Sequence, residues 1–126
     1  MALRDEICTA MEDFVLNAPA AWNVATVPEL AKSLAAHEPM LLLDVREIDE
    51  FEDGHIPGAI NVSVRELPKR LQELPEDRST KIVAYCRSGM RSAYATMFLR
   101  VYGYSDVRNL EHGFQGWAAA GGEIVA

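Results

Sequence analysis

Two short apolar runs, Met40-Leu-Leu-Leu-Asp44 and Lys81-Ile-Val-Ala-Tyr85, constrain the fold more than any other feature of the chain. Neither alternates polar with apolar residues, so neither offers a face to solvent. Both are short and bounded by turn-forming residues. That is the pattern of strands covered on both faces in a parallel sheet. The period then changes from strand-like to helix-like. Residues 47–53 form a polar helical stretch, 65–74 read as a helix, and 92–102 as another whose apolar stripe is Ala95, Phe98, Leu99 and Tyr102. Strands alternating with helices predict an α/β layered domain, with a mainly parallel central sheet flanked by helices.

The remaining elements follow from local signals. Leu3, Ile7, Met11, Phe14 and Val15 have helical spacing, so residues 3–16 are expected to form an amphipathic helix, stopped by Asn17-Ala-Pro. Thr26-Val-Pro-Glu29 has the spacing of a capping box with proline in the first turn, which predicts a helix to about Ala36, ended by His37-Glu-Pro. Gly54-His-Ile-Pro-Gly58 is turn chemistry, and 59–62 can supply a brief strand. Gly103 can close the 92–102 helix, 106–109 reads as a last strand, and 114–120 as a last helix before Gly121-Gly122. Right-handed crossovers put the loops that leave the C-terminal strand ends on one edge. Residues 44–46, 86–91 and 110–113 are therefore expected to meet there.

A chain of 126 residues suits one core. Its formal charge of −7 argues against binding nucleic acid or an anionic membrane, although Arg87 and Arg91 make a local positive exception. The start, Met-Ala-Leu-Arg-Asp-Glu-Ile-Cys, lacks the apolar stretch and cleavage site of a secreted protein, so a cytoplasmic location is expected. Cys8 and Cys86 are far apart, which implies reduced thiols rather than a disulfide framework. His37, His55 and His112 are scattered singly, so neither a metal site nor a cofactor is expected.

The loop Cys86-Arg-Ser-Gly-Met-Arg91-Ser92 follows a buried strand and opens a helix. Several unpaired backbone N–H groups and the positive end of the helix then converge on one point, where an anion is at home. Gly89 permits the backbone angles of an anion-holding nest, and Ser88 is small. A cysteine in such a place loses its proton readily, with pKa values of roughly 3.5–7.5. Cys86 is accordingly expected to be a standing nucleophile that needs no separate general base.

These residues resemble a known family. Asp44-Val-Arg-Glu47, Gly54-His-Ile-Pro-Gly-Ala59, the loop 86–92, and Gly103-Tyr through Asn109-Leu and Gly113 to Trp117 look like the successive signatures of rhodanese domains. The resemblance covers about residues 24–125, and implies a rhodanese-like three-layer fold over 23–126 with a helical extension at 1–22. It also implies a sulfurtransferase: Cys86 attacks the outer sulfur of thiosulfate or a similar small anionic donor, sulfite leaves, and the persulfide passes its sulfur to cyanide, a thiol or a sulfur-carrier protein. Transferred by position, Cys86 is the nucleophile. Arg87, Ser88, Gly89, Met90 and Arg91 bind the donor and the persulfide, with Asp44, Arg46, Ser92 and His112 in support.

Related cell-cycle phosphatases and arsenate reductases have five residues between cysteine and arginine, whereas this loop has four, as in sulfurtransferases. Arg87 after the cysteine looks like the thiosulfate-using branch. A non-enzymatic protein-binding module is the further alternative, and retention of Cys86 argues against it. His112-Gly113 stands where the family often has a glycine pair, and the imidazole either lies beside the pocket or caps the turn. Arg91 can instead tie the loop to neighbouring carbonyls or carboxylates, and Asp44 and Arg46 can form a bracing ion pair rather than line the pocket. His55 suits a turn, Cys8 packing or the surface, and Trp22 and Trp117 the core or a staple. The helix at 3–16 is a candidate for self-association.

Overall fold

A computed structural model describes residues 2–126. In chain order the elements are α1 (Ala2–Leu16), β1 (Val24–Ala25), α2 (Val27–Ala35), β2 (Leu41–Asp44), α3 (Ile48–Asp53), β3 (Ile60–Asn61), β4 (Ile82–Tyr85), α4 (Met90–Val101), β5 (Val107–Leu110) and α5 (Gly113–Ala119). The sheet has five strands in the order β1-β5-β4-β2-β3. Every pairing is parallel, with Asp44 beside Tyr85 and Ala84 beside Asn109. The C-terminal ends of β2, β4 and β5 therefore lie along one edge, as the alternation of periods predicts.

The continuous apolar runs are explained by two cores. Successive strand residues point to opposite faces. Leu43 and Ile82 join Leu67, Leu74, Ala95, Leu99 and Val107 on one side. Their neighbours Leu42 and Val83 join Leu30, Ile56, Tyr85, Leu110 and Trp117 on the other. With both faces covered, no position of β4 can be polar without a partner, and all four of its residues are buried. Helix α2 begins as expected, the Glu29 N–H donating to Thr26 Oγ1 at 3.2 Å with proline in the first turn.

Four expectations are corrected. Residues 65–74 do not form an α-helix but two 3₁₀ turns, Leu67–Lys69 and Leu71–Glu73. Pro68 is accommodated in the first turn, and the run breaks where Arg70 leaves helical geometry at φ −122° and ψ 24°, so Leu67 and Leu74 are buried by tight turns instead. Tyr102 is half-exposed rather than part of the buried stripe of α4, which starts two residues earlier than expected at Met90. Trp22 is 71% exposed, whereas Trp117 is buried and donates from Nε1 to the Glu123 carbonyl at 2.8 Å. Strand β1 is only two residues long and gave no periodic signal; it exists because Val24 and Ala25 pair with Asn109 and Leu110.

Helix α1 forms over the expected residues and runs beside α4, where Leu3, Ile7 and Met11 border an apolar groove with Met97, Phe98 and Val101. None of its residues is buried, and Leu3, Ile7, Met11 and Val15 remain 42–70% exposed. Among the described residues no helix is long and apolar enough to cross a membrane.

Candidate active site

Strand β4 delivers Cys86 to the sheet edge, and the turn of residues 86–89 leads directly into α4. Gly89 adopts φ +120°, a conformation open to glycine and rare for other residues, and this folds its N–H back onto the sulfur. The Gly89 N–H donates to Cys86 Sγ at 3.1 Å, and Ser92 Oγ lies 3.3 Å from the same atom. Burial alone would push the thiol upward, but hydrogen bonds from the Ser92 hydroxyl and from the Ser92, Gly89 and Ser88 N–H groups outweigh it and hold Cys86 below its ordinary value. Cys86 is only 1% exposed, so the sulfur sits at the floor of the loop with the main chain around it.

The loop is fastened on three sides. Arg91 meets Glu50 of α3 at two points, Nη1 to Oε1 at 2.7 Å and Nη2 to Oε2 at 3.1 Å. That bond keeps the Arg91 guanidinium charged and holds the Glu50 carboxyl below the usual carboxylate range. From α5, the Phe114 N–H donates to the Cys86 carbonyl at 2.8 Å and the Gln115 N–H to the Arg87 carbonyl at 3.0 Å. This approach is possible because residue 113 is glycine: at φ +54° a Cβ there would stand 2.5 Å from the Cys86 carbonyl oxygen. From β5, Asn109 Nδ2 donates to the Gly89 carbonyl at 3.1 Å, and the Ser92 hydroxyl reaches Asn109 Oδ1 at 2.5 Å.

Besides Arg91, the expected residues fall into four groups. Cys86, Ser88, Gly89 and Ser92 surround the sulfur, and Met90 opens α4 with its side chain 72% exposed. Arg87 is exposed and makes no ion pair among the described residues, so it is the loop's free cation. Asp44 and Arg46 pair with each other under the sheet edge: Arg46 Nη2 donates to Asp44 Oδ2 at 2.8 Å and to the Gly54 carbonyl at 2.7 Å, and its guanidinium lies 4.3 Å from the Phe114 ring centroid. Burial works against the Arg46 charge, but the Asp44 carboxylate more than offsets it. Their geometry fits the bracing alternative. His112 fits the turn alternative, because it precedes α5 at φ 61° with its side chain 77% exposed.

Sequence reasoning missed Glu50, Gly113 as a close-approach point and Asn109 as a partner of the loop. Glu50 carried a visible signal, since Glu47 and Glu50 stand three apart at a helix start and form a capping box. Its bond to Arg91 spans 41 positions and had none.

The Rhodanese-like domain model matches residues 26–120. A sulfurtransferase of Allochromatium vinosum is 42% identical over 97 residues, covering 77% of this chain and 89% of the relative. The human thiosulfate:glutathione sulfurtransferase is 35% identical over 104 residues, covering 73% of this chain and 90% of that one. Among solved structures, a rhodanese-related protein from Thermoplasma volcanium superposes with a TM-score of 0.73 at 31% identity, covering 82% of this chain and 98% of that one.

Proposed function

The chain belongs to the rhodanese family, and we propose that it moves a sulfane sulfur from thiosulfate, or a similarly slim anionic donor, to cyanide or a thiol through a persulfide on Cys86. The Cys86 thiolate attacks the outer sulfur of thiosulfate. A sulfur–sulfur bond forms to Sγ, the bond to the sulfonate sulfur breaks, and its electron pair leaves with sulfite. The persulfide then carries one negative charge on its outer sulfur. The acceptor attacks that sulfur, and Sγ departs as the thiolate with which the cycle began.

The observation that carries this reading is the hydrogen-bonded sulfur of Cys86 within a ring of main-chain N–H groups, which hold the thiol below its ordinary value. A thiolate held this way is nucleophilic at neutral pH without a base. The same ring accepts the charge when it moves one atom outward to the persulfide. The near-complete burial of Cys86 favours a donor whose reacting atom is a single terminal sulfur over one that must bring a tetrahedral group to Sγ. Arg87 is the cation free to draw in the donor. The sulfurtransferase relatives support the reaction class, and a putative sulfur carrier protein of Bacillus subtilis, 34% identical over 100 residues, makes a protein acceptor a reasonable route. Residues 1–22 are read as an appendage to the catalytic domain at 23–126, and their exposed stripe as a surface for self-association.

The test is mass spectrometry of the intact protein before and after incubation with thiosulfate. One sulfur is expected to be added on Cys86, and Cys86→Ser is expected to lose both that adduct and thiocyanate formation from cyanide. Persistence of thiocyanate formation in Cys86→Ser removes the reading.

A further inference from the structure

Asn109 stands on an interior strand, with Val24 beside it on one neighbour and Ala84 on the other, so strand register rather than the loop fixes its position. Its side chain nevertheless holds the loop at two atoms. Nδ2 donates to the Gly89 carbonyl at 3.1 Å, and that contact determines which way the amide faces. A carbonyl only accepts, so the opposite orientation would set two oxygens against each other. Oδ1 must therefore face Ser92 Oγ, and across their 2.5 Å separation the only available proton is that of the Ser92 hydroxyl.

That hydroxyl has one proton and three acceptors in reach: Asn109 Oδ1 at 2.5 Å, Cys86 Sγ at 3.3 Å and the Gly89 carbonyl at 3.3 Å. A neutral sulfur is a weak acceptor and a thiolate a strong, charge-assisted one. The proton accordingly rests on Asn109 while Sγ is neutral and turns to Sγ when charge appears there.

We propose that Asn109 is a positioning residue for sulfur transfer, the alternate acceptor that takes the Ser92 hydroxyl when Sγ gives up its negative charge and returns it when Sγ becomes negative again. In the first half-reaction Sγ passes from thiolate to the neutral inner atom of a persulfide, and the hydroxyl it releases finds its nearest partner at Oδ1, 2.5 Å away, ahead of the Gly89 carbonyl at 3.3 Å. In the second half-reaction Sγ is the leaving group, and the hydroxyl swings back to meet the charge. No proton is transferred at either step; only the direction of one O–H bond changes.

This inference rests on Cys86 being the sulfur carrier, but its test does not require a donor. In a Cys8→Ser background, which removes the exposed second thiol, the ultraviolet absorbance of the thiolate followed against pH reports the ionisation of Cys86 without a reagent having to reach the buried sulfur. Asn109→Ala removes the nearest of the hydroxyl's acceptors and leaves it to Sγ and the Gly89 carbonyl, both at 3.3 Å, of which a charged Sγ is the stronger. The thiolate midpoint is expected to fall by about half a pH unit, roughly threefold in the thiolate-to-thiol ratio, and sulfur loading from thiosulfate to slow several-fold. Asn109→Asp keeps the hydroxyl on a carboxylate and adds negative charge, so the midpoint is expected to rise. In a Ser92→Ala background, Asn109→Ala is expected to move the midpoint no further. Shifts of the same sign in Asn109→Ala and Asn109→Asp, or an undiminished effect of Asn109→Ala without the Ser92 hydroxyl, overturn the proposal. Should Asn109→Ala not fold, Asn109→Asp decides alone: a midpoint unchanged or lowered is the negative result. Failure of thiosulfate to load any variant would count against the sulfurtransferase reading and leave the midpoints interpretable.

Discussion

Glu50 holds Arg91 by both ends of its guanidinium, at 2.7 and 3.1 Å, so the arginine that closes the loop is anchored to α3. Both side chains are about one-third exposed, which discounts a charge-assisted pair to about 1 kcal/mol. Glu50→Gln is expected to lose about that much in chemical denaturation. Because folding lowers the carboxyl below its ordinary value of 4.5, the stability it supplies is complete above that pH and drains away as pH falls through the lower, folded value. Acid unfolding of Glu50→Gln should therefore converge with that of the natural protein at low pH. A constant gap down to the most acid conditions would mean that the pair is not the cause.

Arg87, by contrast, is exposed and free of carboxylate partners among the described residues. Its charge is available to an arriving anion and contributes little to the fold. Arg87→Ala is expected to raise the KM for thiosulfate several-fold, leave the unfolding free energy within about 0.5 kcal/mol, and weaken the dependence of kcat/KM on ionic strength. Equal effects on stability and KM would show that Arg87 braces the loop instead.

Gly113 and Cys86 are coupled through main-chain contact. A methyl group at 113 would overlap the Cys86 carbonyl at 2.5 Å and the Arg87 carbonyl at 2.8 Å, in a backbone conformation that itself disfavours side chains. Gly113→Ala is expected to cost about 2–4 kcal/mol by denaturation. The surviving folded fraction should lose sulfur transfer disproportionately, because relief of the clash pushes α5 and its two N–H donors off the loop. Natural activity per folded molecule would argue that the α5 contacts have no part in shaping the site.

Buried strands were legible because β2 and β4 lie between two cores and must be apolar throughout, and the loop because glycine, serine and arginine at a strand-to-helix turn admit few readings. Local rules fixed Thr26 as a cap for the same reason. What was not legible depended on pairing at a distance. Val24 and Ala25 are a strand only because β5 lies beside them, and Asp44 and Arg46 could have faced the pocket or each other until the sheet edge closed over both. Asn109 stood within a family signature, but nothing signalled its contact with the loop, since an asparagine on a strand becomes part of the loop only through register with β4. The 65–74 segment failed differently: its leucines kept helical spacing while the backbone turned out of helical geometry at Arg70.

Helix α1 leaves Leu3, Ile7, Met11 and Val15 exposed along one face although it buries none of its residues. A helix of 15 residues with so little packing is marginal on its own. Cover from a second copy would supply the missing contacts, but the flanks carry Asp5, Glu6, Glu12 and Asp13 against the single cation Arg4. Like charges then face each other in an α1-to-α1 pairing, and their repulsion is screened by salt. Light scattering is expected to show association that strengthens with ionic strength, and Ile7→Asp or a truncation beginning at Trp22 should abolish it. The truncated protein is expected to keep its sulfur transfer rate, because α1 supplies no residue to the loop around Cys86. A monomer at every ionic strength would end the case for self-association, and a truncation that no longer transfers sulfur would make α1 part of the catalytic domain.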